Sequence, residues 1–109
     1  MSAVIYLRIM GGVYMSMLTI NYDRKYDTLY VGIPSEEPKY GTGGENGIVT
    51  FLGIDTDRVL GFMIEDFKAR LTDNTIPEQE IPIAIDFNNP EIKSLVFGNG
   101  KDYKTVIYQ

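Results

Sequence analysis

Tyr22, Asp23, Asp27 and Tyr30 are the side chains whose types and spacing come nearest to a reaction site. Two carboxylates four positions apart, flanked by phenols, could relay a proton if burial raised one aspartate toward neutrality. The same residues also satisfy a simpler need. Asp23 and Asp27 bracket the polar stretch Arg24-Lys25-Tyr26, and aspartates in a turn accept hydrogen bonds from the turn's own backbone. The spacing therefore reads first as the corner of a hairpin, with Tyr22 and Tyr30 on the strands that enter and leave it.

The rest of the composition narrows the chemistry further. The chain has no cysteine and no histidine. Disulfides, thiolate nucleophiles and sulfur-ligated zinc are excluded, as are serine–histidine and cysteine–histidine catalysis within the chain. No cofactor and no metal site is expected, and catalysis is not the favoured reading. Fifteen acidic against ten basic residues give a net charge of −5. Arg24-Lys25 is the one adjacent basic pair, so direct binding of nucleic acid is not expected. An acidic surface suits a soluble protein or one that meets a basic partner. The apolar run Ala3–Leu7 stops at Arg8, short of a signal-peptide core or a membrane span, which predicts a cytoplasmic protein that does not enter membranes.

Three other stretches imitate known sites and miss. Asp55-Thr56-Asp57 begins like a calcium loop, but Leu60 stands where glycine is required and Asp66 closes it in place of glutamate. A turn is the better reading. Gly41-Thr42-Gly43-Gly44-Glu45-Asn46-Gly47 is glycine-rich like a phosphate loop, yet lacks the lysine–serine or lysine–threonine pair and carries Glu45. It reads as a connector able to contact a partner, together with Glu36 and Glu37 just before it. Gly98-Asn99-Gly100-Lys101 reads as a turn.

These residues need elements to hold them, and 109 residues make one domain. Leu18, Ile20 and Tyr22 alternate with polar residues, as do Leu29, Val31 and Ile33 after the polar corner, which predicts a hairpin. Residues 34–47 read as a long loop. Ile48 to Ile54 and Val59 to Ile64 form a second hairpin, apolar on both faces and so expected to be covered on both. Residues 65–71 read as a short helix with Phe67 and Leu71 on one face and acids first. Ile81, Ile83, Ile85 and Phe87 alternate strictly, which predicts a strand that Pro82 pushes to an edge. Asn89-Pro90-Glu91 starts a second helix that Gly98 can end. Tyr103 to Tyr108 reads as a final strand.

The methionine-rich residues 1–16 have two readings. They form an added edge strand, or they precede a native start at Met15 or Met17. The fold expected from the whole is α+β: a mostly antiparallel, meander-like sheet of five to seven strands with one or two short helices packed on it.

Residues 18–71 resemble the DUF2283 family of small uncharacterised bacterial proteins. The resemblance rests on Tyr22, Asp23, Asp27, Leu29 and Tyr30, a variable loop, and then Asp55, Asp57, Val59 and Gly61; Met63 stands where that pattern expects glutamate. It implies a small sheet with a helix packed on it and no particular activity. Such proteins are often encoded beside toxin-like neighbours, which implies a neutralising role.

The leading functional expectation is a non-catalytic interaction protein that occupies a basic site on a nucleic-acid-acting partner, as an antitoxin or defence inhibitor does. Its contact or turn residues are Tyr22, Asp23, Asp27, Tyr30, Glu36, Glu37, Glu45, Asp55 and Asp57. A second reading makes Tyr22, Asp23, Asp27 and Tyr30 a small-ligand or enzyme site, which requires them to converge in a concavity. A third is a subunit that self-associates through sheet edges.

Overall fold

The computed structural model describes the backbone of residues 4–11 and 14–98, with side chains from Leu18 to Gly98. Six strands form one antiparallel sheet: β1 (Val4–Gly11), β2 (Tyr14–Asp23), β3 (Thr28–Gly32), β4 (Lys39–Gly43), β5 (Ile48–Gly53) and β6 (Val59–Ile64). Their order across the sheet is β1-β2-β3-β6-β5-β4. Two helices follow, α1 (Phe67–Asp73) and α2 (Pro90–Phe97), with a single 3-10 turn at Glu78–Glu80 between them. The fold is α+β, as the alternating runs and short helical segments imply.

Side-chain alternation sets which face each residue joins. Ile20 pairs with Val31, Val31 with Phe62, and Phe62 with Thr50; one row along, Tyr22 pairs with Leu29, Leu29 with Ile64, and Ile64 with Ile48. These rows face the helices and form the core with Phe67, Phe87, Ile92, Leu95 and Val96. The ring of Phe67 lies edge-on between Tyr22 and Phe87, at centroid distances of 6.3 and 5.6 Å. Such offset contacts suit aromatic quadrupoles and fix α1 against the sheet.

Several expectations are corrected. The loop over 34–47 contains β4, a five-residue strand exposed throughout. Its sequence, Lys-Tyr-Gly-Thr-Gly, has no apolar period because it has no buried face. The segment from Ile81 to Phe87 is not a strand, although Ile81, Ile83, Ile85 and Phe87 all pack toward the core. It bends at Pro82 and Ile83 and keeps the period of two without a neighbouring strand among the described residues. The first helix begins two residues later than expected, after Glu65 and Asp66, because Asp66 adopts the left-handed conformation (φ 55°). The hairpin β5–β6 is covered on one face only: Val49, Phe51 and Met63 remain half-buried on the other. The backbone of residues 4–11 pairs with β2 as an edge strand, and β2 itself begins at Tyr14. The strand read at Tyr103–Tyr108 lies outside the described residues.

Candidate functional site

The corner at residues 23–27 binds the ends of both helices to the sheet. Asp23 Oδ1 accepts from the backbone N–H of Lys25 (2.9 Å) and Tyr26 (3.3 Å), the side-chain turn that its position favours. Asp27 sits at φ 50°, a conformation aspartate tolerates better than most residues. Its Oδ1 accepts from the Tyr22 hydroxyl at 2.6 Å and from the Lys68 N–H at 2.7 Å, while its carbonyl accepts from the Phe67 N–H at 2.9 Å. The first N–H groups of α1 need acceptors, and Asp66 supplies no side-chain cap. Asp27 caps this helix from 41 residues upstream of the amide it accepts from. Arg24 does the complementary work at the end of α2, donating to the carbonyls of Leu95 (3.2 Å) and Gly98.

Tyr22 is 3% exposed. Burial first, and then the carboxylate of Asp27, hold its phenol well above the usual tyrosine pKa. The folded chain therefore keeps this proton at a pH where the unfolded chain loses it. That contribution is fully present below pH about 10 and declines as pH rises beyond it, by up to about 1.4 kcal/mol per pH unit. Tyr22→Phe should flatten the alkaline limb of a stability-versus-pH curve measured by urea denaturation. An unchanged limb would show that another group carries it.

The four residues read as a reaction site do not converge. Tyr22 and Asp27 meet beneath the helices, Asp23 turns to its own backbone, and Tyr30 lies on the opposite face of the sheet at 39% exposure. The remaining acids divide between two ends of the sheet. At one end Glu37 accepts from the Thr56 hydroxyl (2.7 Å) and pairs with Arg58 (3.2 Å), and these contacts lower its pKa, the Thr56 bond most. Tyr40 there donates to Asp57 Oδ1 at 2.8 Å, which raises the phenol's pKa. Glu36 and Asp55 are exposed beside them, while Glu45 is exposed in the β4–β5 turn at the other end. Among the described residues, no three acidic side chains gather as metal ligands. Of the glycine-rich stretch, residues 41–43 end β4 and residues 44–47 form the β4–β5 turn, with Gly43, Gly44 and Gly47 at positive φ.

Sequence reading missed the sheet's second face. One row across it runs Thr19, Gly32, Gly61, Phe51, Gly41; the next runs Asn21, Tyr30, Met63, Val49, Gly43. Gly32 leaves a shallow groove of about 290 Å³, lined by Thr19, Asn21, Tyr30, Gly32, Lys39 and Phe51 among others. The signal was available only through register, since no two of these strands show their glycines as a local motif. No helix among the described residues is long and apolar enough to cross a membrane. No protein-family model, curated protein or solved structure matches the chain.

Proposed function

We propose that this protein is a non-catalytic interaction module that receives an extended, basic segment of a partner protein along β4. The supporting observation is the form of that edge. Ile54 N–H donates to Pro38 O at 2.9 Å, which sets the phase of the β4–β5 ladder. Tyr40 and Thr42 then direct their backbone groups inward, and Lys39 and Gly41 direct theirs outward. The whole strand is exposed and, among the described residues, has another strand on one side only. An edge of this kind can accept an added strand through main-chain hydrogen bonds.

Charge selects the partner. Glu36, Glu37, Asp55 and Asp57 stand at one end of β4 and Glu45 at the other, on a chain of net charge −5. A basic strand laid against β4 meets carboxylates at both ends, and such steering weakens with salt. The proposal extends to the resemblance of residues 18–71 to the DUF2283 family, and to a nucleic-acid-acting partner whose basic surface this chain blocks. The corner at 23–27 is then scaffold, and Asp27 and Tyr22 act through stability alone.

A tagged full chain should capture a basic protein from source-cell lysate at low salt and release it at high salt. Glu36, Glu45 and Asp55 make no hydrogen bonds to the fold among those described, so E36K, E45K and D55K together change charge without disturbing it. The triple variant should lose the captured protein. Capture that withstands both high salt and these substitutions would refute the acidic-edge reading.

A further inference from the structure

We infer that the groove on the helix-free face of the sheet binds a small aromatic anion that carries an N–H donor, a molecule of nucleoside-monophosphate size. The inference rests on different residues from the edge-strand proposal and does not depend on it.

Asn21 provides the first observation. It lines the groove, and its Oδ1 is buried without a hydrogen-bond partner. A buried acceptor left unpaired is costly, and native structures usually satisfy such groups with protein, water or ligand. Turning the Asn21 amide toward the groove brings this oxygen within reach of an N–H of a ligand ring or amino group, which supplies what Oδ1 lacks.

Lys39 provides the second, at the far side of the groove. Its ammonium lies 5.2 Å from the centre of the Phe51 ring and pairs with no carboxylate among the described residues. In a chain with fifteen acidic residues, a lysine left to an aromatic face in a groove is available to an anion. Ser35 also lines the groove, its hydroxyl accepting from the Glu37 N–H at 3.1 Å.

The floor and walls define what fits between. Gly32 has open space where a side chain would stand, with no atom within 4 Å of a Cβ built there. Tyr30 and Phe51 are the aromatic residues that line the groove with it. From β2, which carries Asn21, to β5, which carries Phe51, is three strand spacings, or roughly 14 Å. A base carried through a sugar to one phosphate comes close to that distance, and a shorter fused-ring anion reaches part of it. The cavity of about 290 Å³ matches a small molecule rather than a polymer. The net charge of −5 further disfavours a nucleic-acid strand.

Titration of the isotope-labelled full chain with adenosine monophosphate, uridine monophosphate and indole-3-acetate, followed by NMR, tests the assignment. Saturable shifts are expected at Thr19, Asn21, Gly32 and Phe51 with at least one of the three anions. Its uncharged counterpart, adenosine, uridine or indole, should bind at least about tenfold more weakly, as should the Lys39→Glu chain. Gly32→Val fills the groove at a position with room for the side chain, so the variant stays folded and should lose binding. Asn21→Leu should weaken binding while leaving the amide spectrum dispersed. No saturable shift below about 5 mM, or equal binding by folded Gly32→Val, would overturn the inference. A short oligouridine that binds more tightly than uridine monophosphate would overturn it in favour of a nucleic-acid surface.

Discussion

Replacing Asp27 with alanine should lower stability by about 3 kcal/mol, and replacing it with asparagine by less than about 1 kcal/mol. Alanine removes the acceptor of the Lys68 N–H, leaves the buried Tyr22 hydroxyl without its 2.6 Å partner, and places a Cβ-bearing residue without compensation at φ 50°. Asparagine keeps an acceptor oxygen and tolerates the left-handed conformation. Equilibrium denaturation of both variants, read by circular dichroism, separates them. Were alanine harmless, or asparagine as damaging as alanine, the corner would not be the clasp described above. A carboxylate chosen for chemistry would show the reverse sensitivity, with asparagine inactivating and alanine no worse.

Two paired glycines should respond oppositely to a side chain. Gly32 and Gly61 face each other across the β3–β6 ladder. A Cβ at Gly61 would lie 2.3 Å from Val31 O and 3.1 Å from Gly32 Cα, both backbone atoms that cannot turn aside. Gly61→Ala must therefore push apart the two central strands, and a loss of about 3 kcal/mol or more is expected. Gly32→Val enters open space and adds a residue that favours strands, so stability should equal or exceed that of the parent. Thermal melts of the two single variants provide the comparison. Similar melting temperatures would contradict the close contact at Gly61.

Local periodicity exposed most of the sheet. Leu18, Ile20 and Tyr22, and then Leu29 and Val31, alternate because one face of each strand is buried, so strand identity and core face were readable together. Asn89 and Pro90 likewise announce α2, where the Asn89 side chain accepts from the Glu91 N–H at 2.9 Å. The failures share a cause. β4 is exposed on both faces, so burial imposed no pattern on it. Residues 81–87 obey a strand's pattern because alternate side chains reach the core, yet hydrogen bonding to a neighbour leaves no trace in side-chain polarity. Asp23 and Asp27 were legible as a turn, but the capping of α1 by Asp27 depends on how β3, β6 and α1 meet. The groove depends on register across five strands and could not be read from any one of them.

The strand order also governs how the chain finds its fold. Strands β1, β2 and β3 pair with sequence neighbours, as do β4, β5 and β6, and short loops close both halves at small entropic cost. Among the described strands the β3–β6 ladder alone joins the halves, and Gly32 paired with Gly61 is one end of it. The slow step of folding is therefore the docking of two locally formed units along one seam. That seam closes over the glycine pair, so a bulky residue at position 61 obstructs the search for the fold as well as the packing at its end.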